Sequence, residues 1–425
     1  MSNAFEIIDL DATEILDCRG DPTVRVALTL ASGIQAIADV PAGRSTGRHE
    51  AVEVRDDETR YGGLGVRRAV AHVREEIRSR LLGESAADQR RLDATLIALD
   101  GTENKSRLGA NAILGVSLAA ARATALAREV PLYRHLNLNA HLLPVPLVNL
   151  INGGEHASND LEFQEFCIFP VGAASFSEAM EISHAVNQML REIIVAAYGK
   201  IAANVGDEGG FAPPIVNVRE AMDKLVEAVR GAGVEDRIVY GLDCAATHLY
   251  NANDGAYRLE GKRLDADELM AFYAGLIEDY PIVSIEDPFA EDDVDAFVRA
   301  TKELGIQIVG DDFFCTNPAR LQARIPLGAA NALLWKVNQI GTLSEAMTAA
   351  EIAFRAGYGV MVSERSGETE DAIIADLVVG LNAGQIKTGA PVRGERTAKY
   401  NRLLEIEREL GSEARYAGRD YRGGT

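Results

Sequence analysis

The sequence of 425 residues predicts an α/β protein, in which a β/α barrel of the TIM type follows an N-terminal α+β unit. Short apolar strands alternate with amphipathic helices from about residue 141 onward, at intervals of about 25 residues. Most of these strands end next to a charged or polar side chain. The first 140 residues differ, because long alternating strands precede their helices. The predicted domains are residues 1–140, an α+β cap, and 141–425, the barrel.

The N-terminal unit is predicted to start with an antiparallel meander. Alternating apolar and polar side chains predict strands at residues 7–16, 23–30 and 35–40. The loop that follows, 41–47, is rich in small residues and turn formers, so we expect it to be mobile. Apolar residues at helical spacing then predict helices at 66–82, 86–100 and 109–127.

Eight strands are predicted in the C-terminal unit. Two of them cover residues 145–150 and 163–169, and the other six each lead to a polar residue: Asp243, Glu286, Asp311, Lys336, Ser363 and Lys387. The spacing of these six suits a strand, a helix and two loops. Eight such strands favour a closed barrel, in which the carboxyl ends of the strands surround one mouth. An open doubly wound sheet is the alternative with the same periodicity.

The charge balance limits the partners that we expect. Asp and Glu number 64 against 43 Lys and Arg, which gives a formal net charge of −21. Such a field repels phosphate backbones and anionic lipid surfaces, so neither nucleic acid nor a membrane is an expected partner. No window approaches the ~18 apolar residues of a membrane span. An anionic substrate would therefore need local positive charge from Lys, Arg or a metal ion.

The cysteines and the first strand indicate a reducing compartment. The four cysteines are scattered without a Cys-x-x-Cys pair, which argues against a zinc knuckle and a disulfide framework: Cys18, Cys167, Cys244 and Cys315. The chain opens on an acidic alternating segment rather than a basic region followed by an apolar run, so no secretory signal is expected. We therefore expect a cytoplasmic protein.

Three carboxylates at successive strand ends form a candidate metal site. Asp243, Glu286 and Asp311 would point into the mouth of the barrel, where they suit a hard octahedral cation such as Mg²⁺. A single carboxylate at a strand end is more often a helix N-cap or a member of an ion pair. Three in succession favour the metal site.

Two lysines share the predicted mouth with these carboxylates. Lys336 and Lys387 each end a short apolar strand. They either form structural ion pairs with the carboxylates or lower each other's pKa, so that one of them has a neutral fraction that accepts a proton. A base beside a cation favours proton abstraction α to a carboxylate.

Three further side chains are candidates for acid catalysis. Glu165 and Glu208 are predicted on the other side of the mouth, the second in the glycine-rich segment 206–210, and either could protonate a leaving hydroxyl. His156 follows two glycines in a similar segment. For Glu208 and His156, tight loop packing is the alternative interpretation.

Three longer strings are specific enough to indicate a family. They are Ser-Ile-Glu-Asp-Pro-Phe at 284–289, Leu-Trp-Lys-Val-Asn-Gln-Ile-Gly-Thr at 334–342 and Gln-Ile-Lys-Thr-Gly-Ala-Pro at 385–391. Over nearly its whole length the sequence resembles the enolase (phosphopyruvate hydratase) family. The resemblance implies an N-terminal α+β cap on a ββαα(βα)6 barrel. It also implies dehydration of 2-phosphoglycerate, a small anionic phosphorylated substrate, with two Mg²⁺ in each active site.

The resemblance implies a role for each ligand of the metals. Asp243, Glu286 and Asp311 correspond to the ligands of the tighter Mg²⁺. Ser45 corresponds to a ligand of the second Mg²⁺, which binds when the 41–47 loop closes.

The resemblance also implies the roles of the catalytic side chains. Lys336 corresponds to the base that removes the C2 proton, and Lys387 to the lysine that holds the substrate carboxylate. Glu208 corresponds to the acid that assists loss of the C3 hydroxyl, with Glu165 and His156 close to it.

The phosphate-binding part of the site departs from the family. Arg365 and Ser366 correspond to the pair that binds the substrate phosphate. The family pattern Ser-His-Arg-Ser is here Ser-Glu-Arg-Ser, with Glu364 in place of an imidazole, and the loop pattern Pro-Ser-Gly-Ala-Ser-Thr-Gly contains Arg44 in place of Ala. Unpaired charges in a closed mouth are costly. We therefore expect Glu364 and Arg44 to pair with each other or to meet complementary groups on the substrate.

These departures leave three functions open. The first is dehydration of 2-phosphoglycerate or of a close phosphorus-substituted analogue. The second is a carboxyphosphonoenolpyruvate synthase of phosphonate or phosphinate natural product biosynthesis, in which Arg44 would meet the extra anionic group. The third is a non-catalytic enolase-like binding protein, against which the complete set of acid, base and metal residues argues. In each case the resemblance implies a homodimer or a higher homo-oligomer, in which we expect Arg25 to face Glu405 across the interface.

Overall fold

The computed structural model describes residues 4–44, 46–57 and 59–422. Its N-terminal unit contains an antiparallel sheet of β1 (Ile7–Leu16), β2 (Pro22–Leu30) and β3 (Gln35–Asp39) in that order. The helices of this unit are α1 (Arg67–His72), α2 (Arg78–Leu81), α3 (Gln89–Asp100), α4 (Ala110–Ala127) and α5 (Leu132–Leu136). The predicted helix at 66–82 is thus α1 and α2, joined by a wider π-type turn at Val73–Ile77.

Helix α4 is the centre of the N-terminal unit, because the apolar face of the meander packs on it. Alternate residues of β2, Val24, Val26 and Leu28, are fully buried, and both β2 and β3 contact α4. Sheet and helix approach closely because Gly115 has no side chain: a Cβ at that position would lie 2.5 Å from Cγ2 of Val26.

Helix α4 also corrects the expectation that no segment is long and apolar enough to span a membrane. It has 18 residues and a mean hydropathy of 1.4, which meets the length and composition of a span. However, 83% of the helix is buried inside the protein. The apolar residues of α4 therefore serve the protein core, which is the common reason for such a helix in a globular domain.

The strands that follow are β4 (Leu142–Leu143), β5 (Val145–Asn152), β6 (Glu165–Phe169), β7 (Val239–Asp243), β8 (Tyr250–Asn251), β9 (Ala256–Leu259), β10 (Lys262–Leu264), β11 (Ile282–Glu286), β12 (Gln307–Gly310), β13 (Ala332–Trp335), β14 (Gly359–Ser363), β15 (Gly384–Lys387) and β16 (Arg415–Tyr416). The helices that follow are α6 (Phe176–Tyr198), α7 (Val218–Gly231), α8 (Ala266–Asp279), α9 (Val294–Glu303), α10 (Pro318–Arg324), α11 (Val337–Ile340), α12 (Leu343–Arg355), α13 (Ile373–Leu381) and α14 (Gly394–Leu410). The predicted domain division between residues 140 and 141 falls between α5 and β4 and stays a prediction.

Eight strands close a barrel in the order β11-β12-β13-β14-β15-β5-β6-β7. Strand β6 runs antiparallel to both of its neighbours, and the other neighbouring pairs are parallel. Two helices, α6 and α7, separate β6 from β7. The predicted barrel with a ββαα start is confirmed, and the open doubly wound sheet is wrong because β7 pairs with β11 and closes the ring.

A small antiparallel sheet of β8, β9 and β10 lies between β7 and α8. This sheet is not among the strands predicted from the sequence. Its residues explain why the interval from Asp243 to Glu286 is longer than the later intervals between strand ends.

The barrel interior changes from apolar to polar along its axis. Side chains of one apolar cluster, which includes Leu147, Phe169 and Leu334, fill one part of it. A buried amide network crosses the interior, in which Nε2 of Gln307 on β12 donates to Oε1 of Gln385 on β15 at 2.8 Å. The charged groups follow at the strand ends, so the barrel is a packed core with a polar mouth.

The contact between the meander and α4 predicts a difference between two helical glycines. Gly115→Ala should destabilise the protein by about 1 to 3 kcal/mol, because the new methyl group overlaps a rigid β-branched side chain. Gly275→Ala in α8 is the matched control, since its Cβ would meet only Nη2 of Arg219, the flexible end of a side chain, at 3.3 Å. We expect the control to be neutral or to stabilise by about 0.5 to 1 kcal/mol. Urea unfolding of the three proteins measures both changes, and equal stabilities of the two variants would contradict the packing.

Candidate active site

The strand ends bring the predicted site residues to one mouth. Asp243, Glu286 and Lys387 are the last residues of β7, β11 and β15, and Asp311 and Lys336 directly follow β12 and β13. Glu165 is the first residue of β6. It reaches the same mouth because β6 runs in the opposite direction, and it pairs in register with Asp243.

Lys387 lies at the centre of the buried carboxylates. Its Nζ lies 2.8 Å from Oε2 of Glu286, 2.9 Å from Oδ2 of Asp243 and 3.1 Å from Oε1 of Glu165. Burial opposes the charge on this lysine, but the carboxylates, Asp243 first, outweigh burial and raise its pKa well above the ordinary value. Lys387 is therefore a fully charged partner of this group.

Lys336 makes a separate ion pair with the third predicted ligand. Its Nζ lies 2.5 Å from Oδ2 of Asp311, whose Oδ1 accepts from Nε2 of Gln339 at 2.7 Å. Burial lowers the pKa of Lys336, but Asp311 counteracts burial and raises it to about 12. The expected neutral fraction of one lysine is wrong for this state: Lys387 does lower the pKa of Lys336, but the carboxylates outweigh this effect and raise the pKa of both lysines.

Asp287 is a site residue that was not predicted from the sequence. It follows Glu286 with a positive φ of 40°, and its two carboxylate oxygens accept from the backbone N–H groups of Asp311 and Asp312, both at 2.9 Å. These bonds fix the start of the segment that carries the predicted metal ligand Asp311. The neighbouring motif Glu-Asp-Pro was visible in the sequence, but the partner of its aspartate was not.

The carboxylates fit a hard cation. Asp243 and Glu286 both contact Nζ of Lys387. The side chain of Glu286 is buried, with 2% of the residue exposed, yet its Oε1 has no hydrogen-bond partner among the described residues. Burial raises the pKa of Glu286 well above the ordinary value, and the neighbouring Asp243 raises it further. An added cation would satisfy the free oxygen and offset this repulsion. Asp311 is the outlying member, because Lys336 and Gln339 hold it. Ser45, the predicted ligand of a second ion, lies outside the described residues.

His156, Glu165 and Glu208 form a buried triad on the other side of the mouth. Nδ1 of His156 lies 3.4 Å from Oε2 of Glu208 and 3.7 Å from Oε1 of Glu165. Asn149 donates from Nδ2 to Oε2 of Glu208 at 3.1 Å. Burial and the charge of Glu208 raise the pKa of Glu165 well above the ordinary value, whereas His156 outweighs burial and lowers the pKa of Glu208. A carboxyl group that keeps its proton thus lies beside one that releases it.

Arg365 and Ser366 follow β14 as predicted, and both have protein partners. The guanidinium of Arg365 forms a two-pronged ion pair with Glu50, at 2.9 and 3.0 Å, and donates to Oδ1 of Asn338 at 2.9 Å. Oγ of Ser366 accepts from the backbone N–H of Arg44 at 2.8 Å. The loop that precedes residue 45 therefore contacts the predicted phosphate site directly.

Glu364 and Arg44 do not pair with each other. Oε2 of Glu364 lies 2.7 Å from Nη1 of Arg396 and accepts from Oγ1 of Thr388 at 2.8 Å. Nε of Arg44 lies 2.8 Å from Oδ2 of Asp207. The expectation of a mutual pair is therefore wrong, because other charged residues of the chain are closer to each. Burial raises the pKa of Glu364 to about 8 against the opposing effect of Arg396.

Comparison with known proteins agrees with this geometry. The family model "Enolase, N-terminal domain" matches residues 7–136, and "Enolase, C-terminal TIM barrel domain" matches residues 140–424. The enolase of Methanocaldococcus jannaschii is 57% identical over 423 residues, and that of Pyrococcus furiosus is 58% identical over 427 residues. The enolase of Thermococcus kodakarensis is 55% identical over 427 residues, and each alignment covers 99% of this chain and of the relative.

The two family models follow each other along the chain and together cover most of it, and the relatives align over nearly its whole length. The barrel with its ββαα start agrees with them. The chain therefore belongs to the enolase family and is a hydro-lyase of the phosphopyruvate hydratase type.

Proposed function

We propose that the protein eliminates water from 2-phosphoglycerate to give phosphoenolpyruvate, with two Mg²⁺ in each active site. One observation carries the proposal. Lys336 follows β13 and Glu165 begins β6, and these strands are opposite each other in the ring of eight. A candidate base and the triad of Glu165, His156 and the proposed acid Glu208 thus face the space between them from two sides, as removal of a proton from C2 and of a hydroxyl from C3 requires.

Lys336 is the proposed base. It accepts the C2 proton only as the neutral amine, so its ion pair with Asp311 has to open first. Mg²⁺ at Asp243, Glu286 and Asp311 would supply positive charge beside the carboxylate of the substrate and its enolate. Lys387 adds a fixed positive charge at the same place, because its pKa is raised well above the ordinary value by the carboxylates that outweigh its burial.

Glu208 is the proposed acid for the C3 hydroxyl, with Glu165 and His156 beside it. His156 lowers the pKa of Glu208 against the effect of burial, so Glu208 needs a proton from its neighbours before it can donate one. Glu165 holds a proton because burial raises its pKa. His156 lies within 3.7 Å of both carboxyl groups. The proton for the leaving hydroxyl is thus shared within this triad.

Arg365 and Ser366 are the proposed phosphate ligands, and Arg44 and Glu364 line the same part of the site. The guanidinium of Arg365 is suited to a phosphate because its donors form a planar fork. The charges of Arg44 and Glu364 have partners within the protein, Asp207 and Arg396. Neither charge therefore requires an additional anionic group on the substrate, and ordinary 2-phosphoglycerate satisfies the site.

The proposal includes a cytoplasmic homodimer. Arg25 lies on β2 with its guanidinium bound to Asp39 at 2.6 and 2.7 Å, and 45% of its side chain is exposed. Glu405 lies on α14 with 57% of its side chain exposed, and Arg402 is its neighbour at 3.3 Å. Both groups can meet a second subunit without leaving these partners.

The division of labour between base and acid predicts two different losses. Lys336→Ala should abolish exchange of the C2 proton with solvent, whereas Glu208→Gln should retain exchange and lose elimination by at least about 100-fold. Deuterium exchange followed by NMR and product formation followed by ultraviolet absorbance measure the two steps. Lys224→Ala and Glu227→Gln, which break a surface ion pair of 3.0 Å, are the controls. Loss of exchange in Glu208→Gln as complete as in Lys336→Ala, with metal binding intact, would contradict the assignment.

The proposed metal sites predict that the two ions bind at different stages. One Mg²⁺ should bind to the free protein and a second only with substrate or product, because its expected ligand Ser45 belongs to the segment 41–47, which the sequence predicts to be a mobile loop. Calorimetric titration with and without ligand measures both events. Glu286→Gln should remove the first event, and Asp254→Asn, in an ion pair outside the mouth, should not. Two tight sites in the free protein would contradict the role of the loop.

The proposed dimer predicts compensation between two charges. Arg25→Glu or Glu405→Arg alone should weaken the dimer roughly fivefold, and the double variant should restore it, because an exposed pair contributes about 0 to 1 kcal/mol. Analytical ultracentrifugation measures the dissociation constants. Arg74→Glu is the control, because it reverses one charge of an exposed ion pair with Asp11 in the N-terminal unit. A monomeric protein, or additive losses in the double variant, would refute the contact.

A further inference from the structure

Arg396 is a buried guanidinium at the base of the mouth that the proposed function does not use. It lies in the first turn of α14 and is 0% exposed. A guanidinium removed from water needs both a counter-charge and acceptors for its five donors. The structure gives its Nη groups the counter-charge of Glu364 at 2.7 Å and several backbone carbonyls, whereas its Nε lies 3.4 Å from Oε1 of Glu395 without a hydrogen-bond partner among the described residues.

The carbonyls that Arg396 binds belong to two different turns. Its Nη1 donates to the carbonyl of Arg365 at 2.8 Å, and its Nη2 donates to the carbonyl of Ser366 at 2.7 Å. The same Nη2 donates to the carbonyl of Asp207 at 3.0 Å. One planar fork thus joins the turn after β14 to the glycine-rich segment that carries Glu208.

The surroundings leave this fork little freedom. A Cβ on Gly389 would lie 2.5 Å from the carbonyl oxygen of Glu208 and 3.1 Å from Cδ of Arg396. The backbone N–H of Ala390 donates to the same carbonyl of Glu208 at 2.9 Å. The stem of Arg396, the segment after β15 and the Glu208 turn therefore pack together without a gap.

We propose that Arg396 is a positioning residue, which sets the distance between the phosphate-binding pair Arg365 and Ser366 and the acid Glu208. The inference rests on the roles given to these three residues in the proposed function. A lysine at this position would keep the charge but not the fork, and it could not hold both turns with the same geometry. Both turns should then move apart when Arg396 is replaced, although Arg396 touches no substrate.

Hydrogen exchange tests the coupling without any substrate. In Arg396→Lys, backbone amides of both 206–210 and 364–367 should exchange at least about tenfold faster than in the parent protein, because the bonds to both turns are lost together. Arg402→Lys is the matched control: it lies on the same helix, pairs with Asp376 at 2.9 and 3.0 Å, and touches neither turn. Faster exchange in only one turn, or in neither, would overturn the coupling.

Kinetics test the consequence for the reaction. Arg396→Lys should raise KM for 2-phosphoglycerate about tenfold and lower kcat for elimination about tenfold, while exchange of the C2 proton at saturating substrate changes less than about twofold. If KM, kcat and the rate of C2 proton exchange all worsened by the same factor, the role of Arg396 would be structural and the proposal would be overturned. No change in any of the three would overturn it as well. Arg402→Lys should change none of them.

Two further variants separate this inference from the proposed function. Arg365→Lys should raise KM, and Glu208→Gln should slow elimination, whatever Arg396 does. If these two variants behave normally, or if the parent protein does not dehydrate 2-phosphoglycerate, the proposed function fails. If they show the expected losses and Arg396→Lys does not, the positioning role of Arg396 alone is wrong.

Discussion

The mouth of this barrel depends on the compensation of buried charge. Asp243, Glu286 and Glu165 lie within 3.1 Å of one ammonium group, that of Lys387, and all are nearly inaccessible to water. Removal of Lys387 from this group would leave uncompensated buried negative charge, and the loss of one partner of a buried ion pair costs about 3 to 5 kcal/mol. The same rule explains the pairing of Glu364 with Arg396. The groups suited to catalysis are therefore also the groups that the fold has to balance.

In the barrel, the buried charges lie apart from the apolar packing. The apolar cluster and the amide network of Gln307 and Gln385 fill the interior, so the charged groups gather only where the strands end. Loops carry the remaining functional groups, because backbone segments such as 206–210 can approach the mouth from outside the ring. Arg396 ties one of these loops to a strand end through backbone carbonyls, which preserves the geometry whatever side chains the loop carries.

The residues at the strand ends could be predicted from the sequence, but their ion-pair and hydrogen-bond partners could not. The regular spacing of short apolar strands was enough to place Asp243, Glu286 and Lys336 at the mouth, because the geometry of a barrel brings the carboxyl ends of its strands to one face. Arg396 gave no such signal, since an arginine in the first turn of a helix is usually exposed. The predicted direction of the lysine pKa values was wrong for a related reason: the strand ends indicated that the two lysines share the mouth, but only the structure shows the carboxylates that contact each lysine and raise its pKa.

The apolar helix α4 has a consequence for synthesis of the chain. Its partners in the sheet, β2 and β3, precede it in the sequence, so the sheet that covers one side of the helix has already been synthesised when the helix emerges. One side of a segment apolar enough to be mistaken for a membrane span is thereby covered before the barrel strands are made, and α5, α11 and α12 complete its burial later. N-terminal units generally fold first during translation, and in this chain that order gives an apolar helix its partner sheet from the moment the helix forms.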